Sequence, residues 1–139
     1  MNDVAEEHPK RIDCVLVAAG KYHDIDFARL ELLKLLGEDM RFRVRVFEDY
    51  ENFDAIKAAD CIVTYTCDVV PSLAAQEVLK EWLNAGGRWY ALHGTNSILR
   101  MLDDGLWDAP RWAPAFMDLL GSQFISHPAI EPYKVTVTQ

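Results

Sequence analysis

The sequence predicts an α/β fold in which a mostly parallel sheet lies between layers of helices. Nearly continuous apolar runs, typical of strands buried on both faces, alternate along the chain with segments whose apolar residues recur at helical spacing. A chain of 139 residues that is 50% hydrophobic and 26% charged suits one globular domain with its own core. The repeated order of strand, helix and strand implies right-handed crossovers, and therefore parallel strands.

The first strand and helix follow a short polar leader. Residues 12–20 form a nearly continuous apolar run that ends at a glycine, which predicts a central parallel strand. Apolar residues then recur at helical spacing over residues 27–36. Asp24 or Asp26 can cap the start of this helix, and Gly37 can end it.

Three further elements continue the alternation. Residues 41–47 alternate basic and apolar side chains, which predicts a strand with one wet face at a sheet edge. Residues 51–59 are predicted to form a short helix. Residues 61–66 are rich in β-branched and apolar side chains, which predicts a second buried strand.

A longer helix and a fourth strand come next. Pro71 and Ser72 can open the helix, and the glycine pair at 86–87 can close it. Residues 88–92 then predict the strand. The helix face predicted to enter the core consists of Ala75, Leu79, Trp82 and Leu83.

The pattern loosens in the last third of the chain. Residues 99–114 hold two prolines, two tryptophans and several aspartates, which predicts a long surface loop. Residues 115–120 predict a helical turn or two that ends at Gly121. Residues 123–125 and 133–138 are the last strand candidates.

The charge balance argues against two classes of partner. A formal net charge of -8 repels phosphate backbones and anionic lipid, so we expect neither nucleic acid nor a membrane surface as a partner. No apolar stretch approaches the ~18 residues of a spanning helix, and residues 1–7 lack the shape of a secretion signal. We therefore expect a cytoplasmic protein with a polar leader over residues 1–10 and one α/β domain over residues 11–139.

Candidate functional residues lie at the carboxyl ends of the predicted strands, where ligands gather in such sheets. Three of the four histidines, His23, His93 and His127, follow strands predicted to share one rim, whereas His8 lies in the leader. His93 is the sharpest candidate because it directly follows a buried strand and precedes Gly94, as a tight strand-to-helix elbow requires. We predict that His93 transfers protons. The structural alternative is that it stabilises the turn by a hydrogen bond to a backbone carbonyl.

The other polar candidates each have a structural alternative. Asp24, next to His23, can be only a helix cap. The proline after His127 holds that residue extended without proving a role. Asn96 and Ser97 suit a hydroxylated ligand, but both are also natural helix caps.

Cysteines and tryptophans add two weaker candidates. An odd number of cysteines, with Cys14 and Cys61 inside apolar runs, predicts reduced core thiols rather than disulfides. Cys67 at a strand end can be a nucleophile, although buried inert thiols are commoner. Trp107 and Trp112 can form a wall on which a sugar stacks, or can fold back on the core.

These residues together resemble the trehalose-utilisation (ThuA-like) family of the class I glutamine amidotransferase-like superfamily. The resemblance lies in residues 17–24, which end in a His-Asp pair, in residues 85–97, a Gly-Gly strand with a leucine-histidine elbow, and in residues 119–128, which include Phe-x-x-His-Pro. It implies a flavodoxin-like three-layer α/β/α sandwich with a mostly parallel sheet.

The chain departs from the superfamily pattern in two respects. The amidotransferases place a cysteine nucleophile where this chain has His93, and no later His-x-Glu pair exists to activate a thiol, so glutamine amidotransferase activity is not expected. Members of the family are usually longer, so the domain is expected to lack the family's C-terminal strand and helix. A last strand without a neighbour can pair with a second copy, which makes a homodimer a further expectation.

The resemblance implies a role in sugar catabolism, on trehalose or 3-keto-disaccharides, through hydrolase, lyase or isomerase chemistry. His93 is then the main acid/base residue, His23 and His127 position groups or relay protons, and the elbow N–H groups steady an enolate. No cofactor is implied. Two alternatives stay open: a metal ion held by the three histidines, and a non-catalytic sugar-binding module. The residues expected to bind sugar hydroxyls are Asp24, Tyr65, Asn96 and Ser97.

Overall fold

The computed structural model describes residues 9–138 of the chain. Most of the predicted polar leader over residues 1–10, including His8, lies outside the described residues. Within residues 9–138, no helix combines the length and the apolar character needed to cross a membrane. The elements in chain order are β1 (Ile12–Gly20), α1 (Ile25–Gly37), β2 (Phe42–Phe47), α2 (Phe53–Lys57), β3 (Cys61–Cys67), α3 (Leu73–Asn84), β4 (Arg88–Leu92), a one-turn 3-10 helix (His93–Asn96), β5 (Arg100–Met101), β6 (Trp107–Asp108) and α4 (Pro114–Leu120).

The main sheet is parallel and has the strand order β2-β1-β3-β4. β1 lies inside the sheet and β2 lies at its edge, as the continuous and the alternating apolar patterns predict. Because all four strands run the same way, their carboxyl ends meet along one rim. The predicted α/β fold with a mostly parallel sheet is confirmed.

Helices cover both faces of this sheet and create two apolar clusters. On one face, Val15, Val17 and Ile62 pack with buried side chains of α2, α3 and α4. On the other face, Leu16 and Val63 pack against partly buried side chains of α1. Successive β1 residues therefore serve opposite faces, which is why the run is apolar without alternation.

The predicted helix boundaries depend on side-chain caps that the structure contains. The Asp24 carboxylate accepts a hydrogen bond from the backbone N–H of Phe27, and Ser72 caps α3 in the same way. Asn52 caps α2, which is shorter than the predicted span of residues 51–59. Gly121 ends α4 in the left-handed conformation, as predicted.

For the last third of the chain, one prediction holds only in part and another is wrong. The predicted surface loop over residues 99–114 contains the short antiparallel hairpin β5–β6, closed by the bond from Leu102 N–H to the Leu106 carbonyl at 2.8 Å. Residues 123–125 and 133–138 form no strand. A strand needs a ladder of hydrogen bonds to a neighbouring strand, whereas Phe124 donates to the carbonyl of Asn96, in the 3-10 helix after β4, at 3.0 Å.

Candidate functional site

A sharp turn at the end of β4 presents His93 at the rim of the sheet. His93 has φ 47° and begins the one-turn 3-10 helix. Gly94 follows it, where a Cβ would lie 2.9 Å from the Thr66 carbonyl oxygen and 3.1 Å from the Cys67 Cβ. A larger residue therefore has no room between the elbow and the end of β3. The predicted tight elbow at His93 is confirmed.

The turn after β1 is held against the same end of β3. Gly20 has φ +114°, and a Cβ there would overlap the Cys67 carbonyl. The next backbone N–H, of Lys21, donates to that carbonyl at 3.1 Å. Glycine is required here because only a residue without a side chain combines this φ with such a close approach. The turn carries His23 toward the elbow.

His23 and His93 meet at the rim, with Tyr65 of β3 beside them. Their ring centroids are 4.4 Å apart and the rings are nearly perpendicular, at 74°. Tyr65 stacks on His93 with centroids 5.5 Å apart and planes 12° apart, and its centroid lies 6.3 Å from that of His23. Both imidazoles are exposed, whereas Tyr65 is half-buried. The sheet thus offers two reachable imidazoles supported by a phenol ring.

The electrostatics of the pair favour a neutral His23. Partial burial lowers the pKa of His23 below its ordinary value of 6.5, and the nearby His93 ring lowers it further. A neutral imidazole has one ring nitrogen free to accept a proton. His23 is therefore the member of the pair suited to accept a proton.

His127 does not join this pair. Its ring packs against Phe124, with centroids 6.0 Å apart, and its Nδ1 donates to the Pro128 carbonyl at 2.7 Å. The strand predicted before it is absent, so His127 is not presented at a strand end as the sequence suggested. In the part of the chain from residue 9 to 138, no group of three or more His, Cys, Asp or Glu side chains is placed to hold a metal ion.

The residues predicted to bind sugar hydroxyls occupy different positions. Asp24 is exposed beside His23, but one carboxylate oxygen caps α1 at 3.0 Å. Asn96 donates from Nδ2 to the Ser122 hydroxyl at 2.9 Å. Ser97 is buried, and its backbone donates a hydrogen bond to the Gly94 carbonyl and accepts one from the Asp68 N–H. It therefore stabilises the turn instead of facing a ligand. Tyr65, as described, contacts both imidazoles.

A small cavity of about 90 Å³ adjoins the elbow on the side of β4. Four of its six lining residues, among them His93 and Asn96, have polar side chains. Such a polar recess has room for a water molecule or a single hydroxyl group. Its full lining is Ala91, His93, Thr95, Asn96, Leu120 and Ser122.

A buried polar network fixes the elbow to the sheet. The Thr95 hydroxyl lies 3.0 Å from the Thr64 hydroxyl and donates to the Leu92 carbonyl at 2.8 Å. The indole N–H of Trp89 reaches the same Thr64 hydroxyl at 3.0 Å. Since these polar groups are satisfied only in this arrangement, the network holds the residues around His93 in one geometry.

The three cysteines are free thiols, as predicted. Cys67 lies at the end of β3 but is buried, and burial raises the pKa of its thiol. Burial likewise raises the pKa of Cys14 to about 12, with a further contribution from Cys61. A neutral, enclosed thiol is a poor nucleophile, so the candidate role of Cys67 in covalent catalysis is not supported.

The sequence did not single out a second network that joins the rim loops. Asp68, with φ 60°, receives the Lys21 ammonium at 2.8 Å and the Leu99 backbone N–H at 3.0 Å. Tyr22, with φ 69°, meets Trp107 of β6 edge to face, with ring centroids 4.8 Å apart. A left-handed backbone at Asp68 is weakly signalled by its residue type, but at Tyr22 nothing in the sequence signals it.

Of the comparisons with known proteins, the one with solved structures informs the fold. No protein-family model and no curated protein matches the sequence. Among solved structures, a ThuA-like protein from Bacteroides uniformis ATCC 8492 matches with a TM-score of 0.57 at 16% sequence identity. The match covers 84% of this chain and 47% of that protein, so the chain spans about half the length of its structural relative. Over most of its length, this chain therefore has the α/β fold of a ThuA-like protein.

Proposed function

We propose that this chain acts in sugar catabolism and transfers protons on trehalose or, preferably, on a 3-keto-disaccharide. The observation that carries the proposal is the contact between His23 and His93 at the carboxyl ends of β1 and β4, with centroids 4.4 Å apart. Two exposed imidazoles at the ligand-binding rim of a parallel sheet are suited to general acid and base work. The likeness in fold to a ThuA-like protein is consistent with this assignment.

The proposed step is an elimination next to the ketone. Neutral His23 takes the proton from the carbon between the ketone and the anomeric carbon, and the electrons of that C–H bond form a C=C bond. The glycosidic C–O bond breaks, and protonated His93 gives its proton to the departing oxygen. Because the two rings touch, the proton gained by His23 can return to His93 and restore both residues.

Tyr65 is the positioning residue of this scheme. Its ring stacks on His93 and so limits the orientations that the imidazole can adopt. We assign Asp24 and Asn96 to bind hydroxyl groups around the reacting ring, because Asp24 is exposed next to His23 in the chain and Asn96 lines the cavity beside the elbow. His127 takes no part in the step, because its ring is held by Phe124 and Pro128.

We further propose a ligand class, a cellular location and an oligomeric state for the protein. The partner is a small-molecule sugar or sugar derivative, and the acidic charge argues against nucleic acid and anionic membranes. We place the protein in the cytoplasm. We also expect a homodimer, because β4 is an edge strand of the sheet among the described residues and can pair with another chain.

The test is turnover of 3-ketotrehalose, with trehalose beside it, followed by NMR of the sugar products. We expect His93→Gln and His23→Gln each to lower turnover by about 10²-fold or more while sugar binding persists. Unchanged turnover in His93→Gln rejects the assignment. Sugar binding by the parent without any chemistry favours the non-catalytic binding module instead.

The variant His127→Gln tests whether two or three histidines take part in the reaction. If only His23 and His93 act, this variant keeps turnover within about twofold of the parent. A loss as large as that of His93→Gln supports the original three-histidine prediction and contradicts the elimination scheme as written. Thermal unfolding of all three variants shows whether each keeps its fold.

A further inference from the structure

We propose that Tyr22 and Trp107 form an aromatic wall, on which one ring of the sugar stacks while the other faces His23 and His93. This inference rests on the proposed function and adds the residues that select a cyclic sugar. The two aromatic rings lie edge to face with centroids 4.8 Å apart. Despite that contact, Tyr22 is 52% exposed and Trp107 is 50% exposed. The pair therefore keeps open aromatic surface at the rim.

The turn that carries His23 also carries one member of the wall. Tyr22 directly precedes His23, so their Cα atoms are about 3.8 Å apart. Tyr22 has a left-handed backbone, with φ 69°, which is uncommon for a bulky side chain. A conformation of this kind persists where the surroundings enforce it, and such positions cluster at ligand sites.

Asp68 ties together the two elements that carry the wall. On one side, it receives the ammonium of Lys21, the residue before Tyr22, at 2.8 Å. On the other side, its second carboxylate oxygen accepts the N–H of Leu99, which precedes β5, at 3.0 Å. The Asp68 side chain is only 11% exposed, so this is a largely enclosed connection. Asp68 is therefore a positioning residue for the aromatic pair.

The hairpin that carries Trp107 has its own internal supports. Arg100 and Asp108 form an ion pair across β5 and β6 at 2.7 Å. The turn between the strands is closed by the bond from Gly105 N–H to the Leu102 carbonyl at 3.0 Å. Trp107 thus projects from a paired strand and not from an irregular loop, which limits the positions its ring can take.

A sugar ring suits this combination of surfaces. The C–H face of a pyranose packs on an aromatic ring, while its hydroxyl groups bond polar groups at its margin. Here Tyr22 of the aromatic pair is followed in the chain by His23 and Asp24, both of which are exposed. A partner protein that buried the same aromatic surface is the competing occupant, and it predicts concentration-dependent association instead of sugar affinity.

Trp112 offers a matched control within the same chain. It comes from the same tryptophan-containing region and is 47% exposed. Its ring faces the Arg100 guanidinium, with the guanidinium carbon 5.8 Å from the ring centroid, and it makes no contact with Tyr22 among the described ring pairs. The sequence suggested a wall of Trp107 with Trp112, and the structure pairs Trp107 with Tyr22 instead.

The experiment measures the dissociation constants of trehalose and 3-ketotrehalose by calorimetry for the parent and for Trp107→Ala, Trp107→Phe, Tyr22→Ala and Trp112→Ala. We expect Trp107→Ala and Tyr22→Ala to weaken binding by about tenfold. Trp107→Phe should stay within about threefold of the parent, because a ring remains. Trp112→Ala should leave the dissociation constant unchanged.

The outcomes separate this inference from the proposed function. Equal affinity in Trp107→Ala and the parent overturns the wall, as does an equal loss in Trp112→Ala. Absence of sugar binding by the folded parent overturns it too. If Trp107→Ala raises KM but not kcat while His93→Gln leaves turnover unchanged, the wall stands and the catalytic assignment fails. Self-association of the parent that Trp107→Ala abolishes, with sugar affinity intact, assigns the surface to a protein partner.

Discussion

The imidazole of His23 lies edge-on to that of His93, with ring centroids 4.4 Å apart, although the two residues follow strands that are not neighbours. β3 lies between β1 and β4, and Tyr65 near its end stacks on His93. The contact therefore bridges the width of three strands at the rim. The nearby His93 ring adds to the effect of burial, the larger cause, in lowering the pKa of His23.

The first prediction concerns the pH dependence of His23. Its pKa should lie below 6.5 in the folded protein, first because of burial and second because of His93. Between that lowered pKa and 6.5 the unfolded chain binds more protons, so stability rises with pH through this window and falls on acidification. NMR titration of the ring, with thermal unfolding against pH, measures both effects.

Two variants check the causes of that shift. His93→Gln should raise the pKa of His23 only part of the way, because burial is the larger cause. His23→Gln should reduce the loss of stability below pH 6.5. A His23 pKa at or above 6.5 in the parent contradicts the electrostatic description of the pair.

The second prediction concerns the close approach at the end of β1. Gly20→Ala should destabilise the protein by about 3 kcal/mol or more, since the added Cβ overlaps the Cys67 carbonyl and the φ is +114°. Gly105→Ala is the matched control, with φ +80° and no atom within 4 Å of the added Cβ. It should cost only about 1–2 kcal/mol. Urea unfolding measures the loss in free energy of unfolding for both variants. Equal losses in the two contradict the steric explanation.

The third prediction concerns the polar network beneath the elbow. Thr95→Val keeps the shape of the side chain but removes its bonds to Thr64 and Leu92, so it should cost about 1–3 kcal/mol. Because these bonds hold the turn after β4, the ring of His93 should also lose its fixed orientation. Thr136→Val, on an exposed segment, should change stability by less than about 0.5 kcal/mol.

This third prediction is tested by measuring the free energy of unfolding and the NMR resonances of the His93 ring. Broadening or a shifted resonance in Thr95→Val, with Thr136→Val like the parent, supports the network's role. A Thr95→Val protein as stable as the parent shows that the buried hydroxyl is dispensable.

The fourth prediction concerns thiol reactivity. Burial raises the pKa of Cys14 to about 12, and it raises the pKa values of Cys61 and Cys67 as well. The native protein should therefore react slowly with an aromatic disulfide reagent at pH 8, and all three thiols should react at once after unfolding. Rapid modification of native Cys67, mapped by mass spectrometry, reopens its role as a nucleophile.

Local patterns predicted the elements that build the sheet. The continuous apolar run of β1, the alternation in β2 and the caps at Asp24 and Ser72 all appear in the structure. Each is encoded by residues a few positions apart, because side-chain period and cap chemistry are properties of one segment. The elbow at His93 was predictable for the same reason, since a small residue follows the strand. The strand itself was predicted to be buried, and this is wrong: β4 lies at the edge of the sheet, where one side has no neighbouring strand to cover it, and its residues are exposed or half-buried.

Long-range relationships were not predictable in this way. Residues 133–138 alternate as a strand should, yet they have no partner ladder and remain irregular. His127 was predicted to follow a strand, as His93 does, but that strand is absent and its ring packs against Phe124. Whether a segment pairs, and which side chains meet, depends on the burial available across the whole chain.

The sequence by itself determined the alternation of strands and helices, the thiol state of the cysteines and the presence of His23 and His93 at strand ends. Only the tertiary structure decided that these two rings touch, that His127 stays apart and that Tyr22 pairs with Trp107. The physical reason is strand order. Hydrophobic period specifies which face of a strand is buried, whereas packing of all the helices and strands together sets which strand ends become neighbours.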